Sequence, residues 1–123
     1  MFIFYNPNKC GKNVGDCVIR ALSIAMGRDW GEVYVELCAI GYEMCDFGNS
    51  NKVWPEYLKQ YGYKCKAVPY VYDSDYTIAD FAADHPDGVY IVATGTHVVA
   101  VVDGNWIDTW NSGNEVPILY FYK

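Results

Sequence analysis

The chain has 123 residues, 52% of them hydrophobic and 17% aromatic, enough apolar material for one compact domain without a metal or disulfide staple. A net charge of −6 with no basic stripe excludes nucleic acid and anionic membrane as expected partners. The five cysteines (Cys10, Cys17, Cys38, Cys45, Cys65) form no CxxC pair and have no histidine near them in sequence. No disulfide framework and no metal site is therefore expected, and the chain reads as a cytoplasmic protein with reduced thiols.

The N-terminus lacks the basic region and long apolar run of a signal peptide, and no segment approaches a membrane span. Residues 2–5 read as a strand stopped by Asn6-Pro7-Asn8. After a loop, Asp16 is a candidate N-cap for a helix starting at Cys17. That helix is apolar nearly all round, with Arg20 and Ser23 the polar exceptions, which predicts a buried helix ended by Gly27. Asp29 and Glu32 make a capping box for a second helix, in which Val33, Leu37, Ile40 and Met44 recur at helical spacing. Cys38 and Cys45 fall on one face of it and are assigned to the core. Ser50 or Asn51 opens a third helix carrying Val53, Trp54, Tyr57, Leu58 and Tyr61, and Gly62 stops it.

Residues 63–68 alternate as a strand, residues 73–75 read as an acidic surface turn, and Thr77 caps a short helix over residues 78–84. His85 sits in a polar turn and is expected to be solvated. The period then becomes two. Strands are predicted over residues 89–94, 97–102, 105–110 and 117–122, with Asp103-Gly104 as a two-residue hairpin turn. Helices crowd the first half and antiparallel strands the second, an α+β pattern in a single domain over residues 1–123.

Two places carry chemistry. Cys17 opens a helix, where backbone amides and a neighbouring imidazolium both lower a thiol pKa. Asp16 opposes that effect unless its side chain turns away to cap the helix. His97 opens the apolar run Val98-Val99-Ala100-Val101-Val102. With Asp103 and Gly104 as turn residues, Val102 faces Asn105, Val99 faces Asp108 and His97 faces Trp110. This register puts His97, Asp108, Trp106 and Trp110 on one face, with Asp108 diagonal to His97, and turns Asn111 away. Asp108 is therefore the candidate partner of the imidazole, and Trp106 and Trp110 are candidates to shield the pair and line a substrate groove.

The order of these parts resembles the papain-like cysteine peptidases, most closely peptidase family C39, the processing domains of bacteriocin exporters. Asp16-Cys17 followed by Ala21-Leu22-Ser23-Ile24-Ala25 is similar to that family's nucleophile helix. His97-Val98-Val99-Ala100-Val101-Val102 and Trp106-Ile107-Asp108 are similar to its histidine block. The chain also looks like small papain-like proteins of bacteria and their phages. The resemblance implies a papain-like fold with helices packed on an antiparallel sheet, Cys17 as nucleophile, His97 as general base and Asp108 as orienter. It implies no cofactor. The family carries a Gln before its Cys as an oxyanion donor; here that position is Gly11, and Asn13 is the nearest amide substitute.

The leading expectation is a thiol hydrolase acting on a peptide, isopeptide or other amide bond, with acyl transfer as a variant. The competing expectation is a catalytically weak or inactive papain-like scaffold that binds a partner protein, which the missing Gln and the twelve tyrosines favour.

Overall fold

A computed structural model describes residues 1–69 and 75–123. In chain order these form β1 (Phe2–Phe4), α1 (Cys17–Met26), α2 (Trp30–Glu43), α3 (Trp54–Gln60), β2 (Lys64–Ala67), α4 (Ile78–Asp84), β3 (Val89–Ala93), β4 (Val98–Val102), β5 (Asn105–Asp108) and β6 (Leu119–Tyr122). The strands join one sheet in the order β1-β5-β4-β3-β6-β2. The class is α+β, as expected. The sheet, however, is mixed and takes its edge strands from residues 2–4 and 64–67. β1 lies parallel to β5, with Phe2 opposite Trp106 and Phe4 opposite Asp108. No local turn in the sequence announces a pairing between the two ends of a chain. β2 closes the other edge against β6, and all four of its residues are exposed. Lys64 and Lys66 on that edge discourage further strand addition.

Alternation along the central strands divides the core in two. Ile91, Ala93 and Val98 face α1, α2 and α3, joined by Phe121, whose ring meets Trp54 edge-on at 5.1 Å. Val92, Val99 and Val101 face the other way, onto Phe81 and Ile78 of α4. Helices on both faces explain why β4 is apolar at every position rather than at every second one. The Asp103-Gly104 turn has φ of 49° and 79°, and the register is Val102 to Asn105, Val101 to Trp106 and Ala100 to Ile107. This is the register read from the sequence.

Helix ends follow their caps. Gly27 closes α1 at φ 64°. The Asp29 carboxylate accepts from the backbone N–H groups of Gly31 and Glu32, but Glu32 spends its own carboxylate on Arg28 instead of completing the box. A full capping box occurs at Thr77 and Asp80. α3 starts at Trp54 rather than at Ser50 or Asn51, because residues 50–53 form a separate turn and Pro55 sits in the first helical turn.

Two side-chain expectations fail. The buried stripe of α2 is Val33, Leu37 and Gly41, and Cys38 lies about 100° round the helix from Leu37. Cys45 falls beyond the helix end, and both cysteines are exposed. His85 is half-buried rather than solvated. Its ring stacks on Phe81 at 3.9 Å, and its Nδ1 donates to the Phe81 carbonyl at 2.8 Å. The acidic turn expected at 73–75 lies, apart from Asp75, outside the described residues. Among the described residues no helix is long and apolar enough to cross a membrane.

Candidate active site

Cys17 is the first residue of α1, and His97 immediately precedes β4. The short turn from β3 into β4 fixes the histidine. Gly95 adopts φ 100°, the Thr94 N–H donates to the His97 carbonyl at 2.9 Å, and the His97 N–H donates to Thr94 Oγ1 at 3.1 Å. Asp108 ends β5, where the chain leaves the sheet and curls back. The Thr109 N–H then donates to Asp108 Oδ1 and the Ser112 hydroxyl to Oδ2, each at 2.8 Å. Asp108 Oδ2 also lies 2.6 Å from His97 Nε2. Cys17, His97 and Val98 line one cleft, close enough that the His97 ring and the Val98 backbone both act on the Cys17 thiol. With Nε2 committed to Asp108, Nδ1 is the nitrogen left for the sulfur.

The charges of this chain of groups support one another. Burial pushes the Cys17 thiol up, but the bonds to His97 and the Val98 N–H, with the nearby positive charges of His97 and Arg20, hold it below the usual thiol range. Burial opposes the charged form of His97 too. The bonds to Asp108 and Cys17 prevail and push its pKa up to about 9. Burial raises Asp108, and the bonds from His97, Ser112 and the Thr109 N–H overcome it and keep the carboxyl below its ordinary value. Both shifts run toward the charged forms, a thiolate beside an imidazolium.

The carboxylate next to the thiol finds its own partners. Asp16 occupies the N-cap position of α1 but makes no side-chain cap bond. Its carboxylate turns inward, to Arg20 Nη1, to Asn8 Nδ2 at 3.1 Å and to Trp30 Nε1 at 3.0 Å. The first-turn amides of α1 are therefore left uncovered by any side-chain oxygen, which suits an anion at the helix end. Arg20 also reaches β5, where Nη2 donates to Asp108 Oδ1 at 3.2 Å. Neither Arg20 nor Ser112 was singled out from the sequence as a site residue. Arg20 had a signal, since a lone cation in a helix otherwise apolar all round needs a buried partner. Ser112 had none, because its role depends on how the 109–112 loop folds back.

The two tryptophans separate. Trp110 stays at the site, its ring 4.8 Å from the His97 ring and its outer part exposed. Trp106 packs instead in the α4 cluster and donates its indole N–H to Asn111 Oδ1 at 2.9 Å. Close approach at Gly113, where an added Cβ would lie 2.6 Å from the Trp106 ring, makes Trp106 a brace for the loop that delivers Ser112. The face that His97, Asp108, Trp106 and Trp110 were expected to share ends with the strands. His97 lies before β4 and Asp108 closes β5, so strand alternation no longer binds them, and Asp108 meets α1 while Val99 meets α4. Asn111, expected on the opposite face from Trp106, instead accepts from the Trp106 indole N–H.

Cys17 and His97 open into a cleft of about 340 Å³ whose walls include Gly15, Asn49, Asn51 and Gly95. Asn13 is exposed and does not line it. Asn51 has its amide committed to the Gly95 carbonyl at 2.9 Å and its carbonyl to Trp54 Nε1 at 3.0 Å. Two larger pockets flank the cleft. One of about 530 Å³, lined by Trp54, Tyr63, Leu119 and Phe121, shares Asn51 and Gly95 with it. The other, of about 560 Å³ and lined by Trp30, Tyr34, Leu37 and Phe47, shares Gly15 and Asn49.

Compared with known proteins, the chain matches no family model, no curated protein and no solved structure.

Proposed function

We propose that this chain is a papain-like thiol hydrolase acting on an amide bond of a peptide or protein, through Cys17, His97 and Asp108. The observation that carries the reading is the convergence of three groups: Cys17 and His97 line one cleft, His97 lowers the Cys17 thiol pKa, and His97 Nε2 lies 2.6 Å from Asp108 Oδ2. In the reaction the Cys17 thiolate attacks the substrate carbonyl carbon and the carbonyl electrons move onto oxygen. His97 Nδ1 gives its proton to the leaving nitrogen as the C–N bond breaks, leaving a thioester on Cys17. Water then attacks the thioester, His97 takes its proton, and the thiolate departs with the free acid as product. Asp108 keeps the ring oriented and stabilises its protonated form throughout.

Two donors suit the oxyanion. The Cys17 N–H belongs to the first turn of α1, which no side chain caps. Asn49 lines the cleft and replaces Asn13 in this proposal. The pockets on either side of the cleft, lined by apolar and aromatic groups, favour an extended peptide over a small free amide.

Incubation with a mixed peptide library tests the reading. Wild-type protein is expected to release new termini and to carry a thioester-linked fragment on Cys17 by mass spectrometry. Cys17→Ala and His97→Ala should lower turnover by a factor of roughly a thousand or more while melting as cooperatively as wild type. Cleavage that survives Cys17→Ala removes the proposal. An added primary amine separates hydrolysis from acyl transfer by the product formed.

The binding-module reading is favoured by one observation, the exposed apolar side chains Val35, Tyr42 and Phe47 on and just after α2. A biological effect that persists in Cys17→Ala and is lost on Tyr42→Asp would select it.

A further inference from the structure

We propose that Arg20 is a positioning residue for the Cys17–His97 pair: its two guanidinium ends hold the carboxylate beside the thiol and the carboxylate behind the imidazole at once. This rests on the hydrolase reading above and adds to it a residue outside the Cys-His-Asp set.

The geometry is specific. Arg20, Asp16 and Asp108 have side chains only 6%, 4% and 3% exposed, so all three charges are held out of water. Asp16 directly precedes the nucleophile. Its other partners, the amide of Asn8 and the indole of Trp30, are neutral and cannot cancel its charge. Arg20 Nη1 supplies the cancelling charge, one helical turn along α1. Nη2 crosses to the sheet and takes Asp108 Oδ1, which it shares with the Thr109 N–H. That leaves Oδ2 for His97 and Ser112. Each oxygen of Asp108 thus has assigned donors, and rotation of the carboxylate away from His97 would break bonds to both Arg20 and Ser112.

A planar fork that cannot lose its proton suits this double duty; a point charge such as Lys does not. The charged groups near the thiol are Arg20 from α1, Asp16 from its cap, His97 from the turn before β4 and, behind it, Asp108 from β5. Of these only His97 lines the cleft itself; among the described residues the rest of its lining carries no charged side chain. Removing Arg20 alone therefore leaves Asp16 uncompensated against Cys17 and leaves Asp108 Oδ1 with only the Thr109 N–H. Removing Arg20 and the Asp16 charge together relieves the first of these.

The experiment is the rate of Cys17 alkylation by iodoacetamide as a function of pH, read at the Cys17 peptide by mass spectrometry. In Arg20→Met the acid limb of the profile should move up by about one pH unit or more, so that alkylation below it slows about tenfold. In Asp16→Asn/Arg20→Met the limb should return most of the way to wild type. A limb in Arg20→Met that superimposes on wild type, or a double variant no closer to wild type than the single, overturns the proposal, because a residue that only stabilises the fold would not be rescued by a second deletion. If Arg20→Met does not fold, Asp16→Asn and Arg20→Lys carry the test. The first should move the limb down, and the second should keep the limb near wild type while lowering kcat; a limb that stays or rises in the first, or a kcat unchanged in the second, counts against Arg20. Failure of the hydrolase reading looks different: Cys17 in the wild-type protein would then show no alkylation advantage over the other cysteines at any pH.

Discussion

One arginine lies within α1 and another just past its end, and their surroundings differ in a way that separates a site from a staple. Arg28, just past the C-terminal end, gathers Glu32, Glu36, Tyr57 and Tyr61 within 2.6 to 3.0 Å and ties the start of α2 to α3. Its ion pairs stand in water, with Glu32 61% and Glu36 36% exposed. Arg20, in the first half of the same helix, has fewer partners, and both of its carboxylate partners are buried. Exposed ion pairs contribute little and are replaceable, whereas a buried charge stripped of its partner is costly. Crowding of polar groups is therefore a poor guide to function in this molecule. Burial combined with long-range connection is a better one, since Arg20 joins residues from opposite ends of the chain.

The largest effect should come from removing the inner carboxylate. Asp108→Asn is expected to lower kcat by about a thousandfold or more, by analogy with the loss of the orienting carboxylate in other triads. It should also destabilise the fold by about 3–5 kcal/mol, since Arg20 loses a buried partner; kinetics and denaturant titration check the two separately. The same pair shapes the pH response. His97 binds its proton more tightly in the folded protein. Its contribution to stability is therefore complete below about pH 6.5, the unfolded value, and is lost as pH rises through about 9. Activity should fall off on the alkaline side as pH rises through about 9, and on the acid side at the depressed value of the Cys17 thiol.

A smaller loss, about a hundredfold in kcat, is expected for Asn49→Ala against near wild-type turnover for Asn13→Ala. The reverse order would restore Asn13 as the oxyanion donor. Ser112→Ala should cost about tenfold in kcat with KM little changed, because one of the bonds that hold Asp108 Oδ2 is gone. At the far end of α1, Glu36→Gln should leave turnover unchanged and cost about 1 kcal/mol or less in a melt. A cost there as large as that of Asp108→Asn would erase the distinction between the two arginine clusters.

Local signals in the sequence carried far. The caps at Asp29 and Thr77, the stop at Gly27 and the hairpin at Asp103-Gly104 are all where the residues put them. The hairpin register followed from the turn alone, but the shared face it predicted for His97, Asp108, Trp106 and Trp110 does not extend past the strand ends, where Asp108 meets α1 while Trp106 packs with α4. What escaped depends on distant pairing. β1 finds its place only once β5 exists. Trp106 and Trp110 share a parity yet face different surroundings, because the chain leaves the sheet between them at Asp108. Asp16 occupies the cap position but serves Arg20 instead, since a buried guanidinium outranks a helix end with access to the cleft.

Competitive labelling with a limiting amount of iodoacetamide at about pH 6, followed by mass spectrometry of each cysteine peptide, is the most direct test of the central claim. Cys10, Cys38, Cys45 and Cys65 are exposed, whereas Cys17 is partly buried, so access alone would label Cys17 last. The thiolate–imidazolium account predicts that Cys17 is labelled first and that His97→Ala removes its lead. Cys17 labelled no faster than the exposed cysteines, or a lead that survives loss of His97, would contradict it.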